Sequence, residues 1–291
     1  AEFGLALENL ELRTHDEFRL NTILATRASD PGAALKTREM MRRLRSRGIA
    51  NADQPRGTIL LLHGRGGRKE DMLWIAKRLV AADFRCVVYD ARAHGQSEGD
   101  FCTFGKNESL DVEAVIDQVS EHLRQRNETT GPVGIFGISL GAAVALQSGD
   151  IERPPAALVA VSPFSGLPEI VHRSGKRIIH RHLPRWLSSG CLLVGGWRAD
   201  FEPDSIVPLE SAGKMTTPLY MVHGALDEVI PISQGQEIFS AVASPSKYWE
   251  TVATGNHGNV LARGGDDLYE RIVLFYLRHL AEVDLPVIES R

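Results

Sequence analysis

Short apolar runs alternating with segments of helical period constrain this chain more than any other feature. The runs are Thr58–Leu62 (TILLL), 86–89 (CVVY), 133–136 (VGIF), Ala157–Val161 (ALVAV), 219–222 (LYMV) and roughly Lys247–Val252 (KYWETV), each bounded by turn residues. Between them, Met72, Ile75, Ala76, Leu79 and Val80 share one helix face, as do Val112, Val115, Val119 and Leu123. Apolar strands of this kind need cover on both sides, so the pattern predicts a mostly parallel sheet with helices on both faces. Two further strands are expected at 8–13 and 18–26, joined by a turn at 14–17. A last helix should start near Asp266 and Asp267 and bury Leu268, Ile272 and Phe275, with His279 on the same side.

Two stretches break the alternation. Residues 30–57 contain the basic helical run EMMRRLRSRG, and residues 165–214 separate two strands that a short crossover helix would join. An excursion of the second length inside a folded unit is usually functional. The 291 residues admit one large domain or two small ones, and no internal repeat is visible.

The sharpest chemical signal is Gly137-Ile138-Ser139-Leu140-Gly141, between the run 133–136 and the helical segment 142–147. G-x-S-x-G in that context is a nucleophile elbow, a strand-to-helix turn so tight that the serine backbone is strained. Side chains two residues before or after the serine would collide with neighbouring elements. The turn exposes the Ser139 hydroxyl beside a helix N-terminus, which favours negative charge.

A serine hydroxyl needs a base to take its proton, and the base needs an acid to orient it. Downstream, the run 219–222 is followed by His223-Gly224-Ala225-Leu226-Asp227-Glu228, and the last strand by Gly255-Asn256-His257-Gly258. Strand context and order assign Asp227 as the acid and His257 as the base, with Glu228 and Glu169 as weaker rivals for the acid. The oxyanion would take the backbone N–H of Leu140 and one from His63-Gly64-Arg65-Gly66-Gly67, with Arg65 as the expected main-chain donor.

Taken in order, HGRGG at 63–67, DARAHGQSEG at 90–99, GISLG at 137–141, HGALDEVIP at 223–231 and GNHG at 255–258 resemble the α/β-hydrolase superfamily from about residue 8 to 280. The phrasing looks most like its esterase, monoacylglycerol-lipase and serine-aminopeptidase-like branch. The resemblance implies a single domain over 1–291, with an eight-stranded, mostly parallel sheet and a small cap inserted at about 165–214 over the catalytic edge. The basic helical insertion at about 30–57 would lie at the opposite edge. Its Arg42, Arg43, Arg45 and Arg47 read as a solvated face, with an acidic partner or a membrane surface as the alternative. The turn 90–99 would be structural, and His94 in it turn-stabilising.

The cap stretch begins basic, from His172 through Arg185, and continues with Trp186, Leu187, Leu192, Leu193 and Trp197. The charges read as a solvated face, or alternatively as a mouth for anionic or amphipathic esters, with Trp186 as a candidate substrate contact.

Other classes are disfavoured. A net charge of −4 gives no field for nucleic acid, and no apolar run approaches the roughly 18 residues of a membrane span. Cys86, Cys102 and Cys191 form no C-x-x-C pair and the histidines are irregularly placed, so no metal is expected. The thiols suit a reducing, cytoplasmic setting. The first residues carry no signal-peptide pattern and no Met, which leaves a cleaved export signal as the alternative.

The expected function is hydrolysis of small carboxylic esters with short or medium acyl chains through an acyl-enzyme on Ser139, without a cofactor. A peptidase or acyltransferase with the same three residues is the alternative, and a non-catalytic binding protein of the same fold is the rival from another class.

Overall fold

The computed structural model describes residues 4–29, 34–283 and 285. The first two strands, β1 (Leu5–Arg13) and β2 (Arg19–Arg27), pair antiparallel about the turn expected between them; β1 starts three residues earlier than its apolar pattern indicated, and β2 is shifted by one residue. Then follow β3 (Thr58–Leu62), β4 (Arg85–Tyr89), β5 (Val133–Ile138), β6 (Ala157–Val161), β7 (Leu219–Gly224) and β8 (Lys247–Val252). The spatial order is β1-β2-β4-β3-β5-β6-β7-β8, with β2 antiparallel to β4 and every later pairing parallel. Parallel pairing brings the carboxyl ends of β3 to β8 to one edge, where such sheets carry their ligands.

Period-two alternation divides each strand between two cores. Ile59 and Leu61 of β3 join one core with Val88, Phe136 and Phe275, and Leu60 and Leu62 join the other with Val87, Ile135 and Val112. The first core is covered by α1 (Leu35–Ser46), α2 (Lys69–Leu79) and α9 (Val260–Leu280). The second is covered by α3 (Lys106–Gln125), α4 (Leu140–Gln147), α7 (Pro208–Lys214) and α8 (Ile232–Ala241). Every residue of β3, β4, β6 and β7 is buried, as strands sandwiched between helices require.

Two local readings change. The last helix begins at Val260, but Gly265 breaks it with φ 63° and ψ −164°, and the apolar stretch resumes at Asp266. The Asp266 carboxylate bridges Lys36 and Arg78. The arginines of 42–47 are only half a solvated face. Arg43 pairs with Asp267 and Glu270, and Arg47, itself exposed, with Glu270 at 2.5 Å, so α1 is tied by charge to α9, whereas Arg42 and Arg45 are exposed.

In the stretch 165–214, α7 packs on α4 and α8 and serves as the crossover between β6 and β7. The remainder holds α5 (Leu167–Ile178) and α6 (Arg185–Arg198), which pack chiefly on each other and on the turn Pro203–Ser205.

Candidate active site

Ser139 sits between β5 and α4 with φ 54° and ψ −112°, a left-handed backbone that a side-chain-bearing residue rarely adopts. Its N–H bonds the Val161 carbonyl at 2.8 Å, which holds the elbow to the end of β6. The flanking glycines are forced by space. A Cβ on Gly137 would overlap the Gly141 carbonyl, and one on Gly141 would overlap the Leu62 carbonyl.

Ser139 Oγ lies 3.0 Å from His257 Nε2, and His257 Nδ1 lies 2.8 Å from Asp227 Oδ2. The Ser139-to-His257 contact joins loops 118 residues apart in sequence. Asp227 Oδ1 accepts the N–H groups of Val229 at 3.0 Å and Ile230 at 2.8 Å. Burial on its own would raise the Asp227 pKa. The hydrogen bond and charge of His257, with the Ile230 N–H, outweigh it and hold the carboxyl below its ordinary range. Neither rival acid competes on geometry: Glu228 is exposed, and Glu169 pairs with Arg185 at 3.2 Å.

The two expected oxyanion donors belong to segments next to Ser139. Leu140 opens α4, so its N–H is among those a helix leaves without an internal partner. Gly64 to Gly67 form a tight turn closed by Gly67 N–H to Gly64 O at 2.9 Å, with Gly66 at φ 76°. Arg65 occupies the first corner of that turn, where the N–H takes no part in the turn's own bond. A methyl group on Gly64 would stand 3.5 Å from Ser139 Cβ, so the turn lies directly beside the serine.

The residue that holds this turn carried no role in the sequence reading. His63 is buried, its Nδ1–H donates to Gly64 O at 2.8 Å, and its Nε2 accepts the Ala91 N–H at 3.0 Å. Burial lowers its pKa and keeps it neutral. Ala91 begins the turn 90–99, whose Asp90 accepts Lys69 N–H, Lys69 Nζ and Gln96 N–H at 2.7, 3.0 and 2.9 Å. His94 in that turn bonds the Arg92 carbonyl at 2.8 Å. Strand-adjacent His-Gly was the only signal available for His63, and it says nothing of a partner 28 residues away.

Beside His257 opens a cavity of about 420 Å³ lined by Arg177, Leu226, Glu228, Val229, Asn256 and Gly258. Trp186 does not line it and lies 72% exposed on α6. Among the described residues, His15, Asp16 and Asp111 form the one cluster with metal-ligand spacing. Arg92 already fills it, with Nε 2.7 Å from Asp111 Oδ2 and Nη2 2.8 Å from Asp16 Oδ1, so a cation would meet a buried positive charge.

A family model described as serine aminopeptidase, S33, matches residues 53–194, which include the turn 63–67 and Ser139. The esterase Pf2001 of Pyrococcus furiosus superposes with a TM-score of 0.70 at 20% identity, covering 96% of this chain and 95% of that one. The chain has the α/β-hydrolase fold. The chain is also 28% identical over 228 residues to an uncharacterized protein of Acanthamoeba polyphaga mimivirus, covering 72% of the chain and 70% of the viral protein. It is 27% identical over 197 residues to the lysophosphatidylserine lipase ABHD12 of Macaca fascicularis, covering 65% of the chain but only 46% of the lipase. Among the described residues, no helix is long and apolar enough to cross a membrane.

Proposed function

We propose that this α/β-hydrolase cleaves carboxylic esters of short or medium acyl chains through an acyl-enzyme on Ser139. The observation that carries the reading is the continuous chain from Ser139 Oγ through His257 to Asp227, with links of 3.0 and 2.8 Å. Ser139 Oγ attacks the ester carbonyl as its proton passes to His257 Nε2. The Nδ1–H is held by Asp227, which stabilises the imidazolium. The N–H groups of Leu140 and Arg65 receive the oxyanion. Collapse of the tetrahedral intermediate breaks the bond to the leaving alkoxide, which takes the proton from His257 and departs as the alcohol. Water then repeats the cycle on the acyl-Ser139 ester, releasing the acid and restoring the hydroxyl. The residues complete each proton transfer themselves, so the reaction needs no cofactor.

The cavity of about 420 Å³ beside His257 supports a limited acyl length, since it lies low in the range of roughly 300–1,000 Å³ that small-ligand sites occupy. A second reading, peptidase, is favoured by Glu228, an exposed carboxylate that lines the same cavity and could hold a substrate ammonium group. The same serine could equally pass its acyl group to an acceptor other than water.

A fluorophosphonate probe should label the protein at Ser139 and leave Ser139→Ala unlabelled. Nitrophenyl esters of graded acyl length, run beside aminoacyl nitroanilides, should give the highest kcat/KM for the shorter esters. Faster turnover of any nitroanilide would replace the esterase reading with the peptidase one.

A further inference from the structure

The α5–α6 pair carries a surface that ester cleavage does not use. On α6, Ser188, Leu192 and Gly196 recur every four residues and form the side turned to the protein, Ser188 and Gly196 buried and Leu192 half-buried. The opposite face presents Trp186, Leu193, Val194 and Trp197, which are 72%, 72%, 57% and 83% exposed. Ile178 and Ile179, at the end of α5, add 66% and 72%. Seven of the thirteen exposed large apolar side chains among the described residues fall within 178–197. An ordinary surface helix turns its apolar stripe inward, whereas this one turns it out.

Charge along most of the α5–α6 segment has one sign. Residues 170–199 contain six Lys and Arg and no Asp or Glu, in a chain whose net charge is −4. Arg185 pairs with Glu169, but Arg173, Lys176 and Arg177 have no carboxylate partner among the described residues. An exposed apolar stripe that begins and ends in Trp, with cations on its flank, is the pattern of a helix lying in the plane of a lipid interface. The indole rings suit the headgroup level, and unpaired cations select anionic headgroups. Arg177 and the 59% exposed Leu226 also line the cavity beside His257, so the cavity mouth adjoins this surface.

We propose that the outer face of α6, with the basic residues of α5, docks on an anionic lipid surface and brings the mouth of the His257 cavity to it. This goes beyond the ester reading and stands whether or not that reading holds.

Sedimentation with vesicles of diether lipids, which offer no ester, separates binding from hydrolysis. The protein should bind vesicles of diether phosphatidylcholine mixed with diether phosphatidylglycerol at least about tenfold more tightly than phosphatidylcholine alone, and added salt should weaken binding. The double variant Leu193→Ser, Trp197→Ser should melt like the parent, because both side chains are exposed, yet lose binding to mixed vesicles by about tenfold or more. The triple variant Arg173→Gln, Lys176→Gln, Arg177→Gln should lose the preference for anionic lipid. Absence of binding to the mixed vesicles, or binding indifferent to the double variant, overturns the proposal. So does a dimer, seen by sedimentation velocity, that the double variant dissolves in a protein without lipid affinity, since the face would then join two copies of the chain.

Discussion

His223 Nε2 lies 3.7 Å from Asp227 Oδ2, the same oxygen that faces His257, while its own proton goes to the Ile230 carbonyl at 2.9 Å. Ile230 in turn gives its N–H to the other oxygen of Asp227, so both backbone polar groups of one residue are held, the N–H by Asp227 and the carbonyl by His223. The His223 ring stacks on Trp249, and its Nδ1 is buried without a partner among the described residues. A second ring proton would point into protein with nothing to accept it. Burial accordingly holds the His223 pKa below the ordinary 6.5, and does the same for His63.

That gives a stability prediction with a definite sign. Below pH 6.5 the unfolded chain takes up protons that folded His63 and His223 refuse, so stability falls as pH drops until the depressed folded values are reached. Each such group costs about 1.4 kcal/mol per pH unit inside that window. Between pH 7.5 and 5.5 the unfolding free energy should fall by about 1–3 kcal/mol from this pair. Asp227 does not contribute there, because its depressed carboxyl loses stability only as pH falls below the ordinary 3.8. Urea titrations at the two pH values check this, and a midpoint that does not move, or that rises on acidification, counts against two neutral buried rings.

The ranking of the adjacent acids tests the proposed orienting role. Asp227→Asn keeps the shape but presents the wrong group to His257, and kcat on an activated ester should fall by about 10³–10⁴. Glu228→Gln, at an exposed side chain outside the hydrogen-bonded chain from Ser139 to Asp227, should stay within about fivefold on neutral esters. The reverse order would move the acid by one position.

The order of elements, the elbow and the three residues that meet at Ser139 were legible because each is written locally: apolar runs, glycines at fixed offsets, and loops that follow strands. What the sequence hid is whatever depends on distant partners. Arg43 and Arg47 read as solvated because nothing in EMMRRLRSRG points to Glu270, more than 220 residues on. The roles of His63 and His223 were equally hidden, since a buried neutral imidazole shares its local sequence with a surface one. Trp186 was a candidate contact because it opens the apolar part of the cap stretch, and here it is exposed and does not line the cavity beside His257.

Two glycines should respond differently to the same methyl group. At Gly66, nothing stands within 4 Å of an added Cβ, so Gly66→Ala meets only the strain of φ 76°, about 1–2 kcal/mol. At Gly141 the Cβ would overlap backbone carbonyls of β3 and His63 that cannot move without moving the sheet. Gly141→Ala should therefore lower the melting temperature far more than Gly66→Ala or fail to fold. Equal losses would mean that close packing at the elbow is not what requires glycine there.

Asp90 offers the longest reach from packing to proposed chemistry. Its carboxylate is fully buried and faces the buried Lys69 ammonium at 3.0 Å. Burial alone would raise its pKa, but the N–H groups of Gln96 and Lys69 and the Lys69 charge hold it below the ordinary range. The next residue, Ala91, gives its N–H to His63, and His63 holds the Gly64 carbonyl and so the turn that carries the Arg65 N–H. Asp90→Asn leaves a buried cation with a neutral neighbour, a loss of about 3 kcal/mol when a buried pair is broken, eased here by the Glu70 contact at 2.9 Å. A shift in the turn by a fraction of an ångström should also displace the Arg65 amide from the oxyanion. The expected signature is a lower melting temperature with kcat reduced about tenfold or more and KM little changed, because the donor acts on the transition state more than on the bound ester. The wild-type chain should also lose stability as pH falls through the depressed Asp90 pKa, and the variant should lack that share of the slope. If Asp90→Asn destabilises the fold but turns over esters at the parental rate, the turn 90–99 supports the sheet without positioning the oxyanion loop.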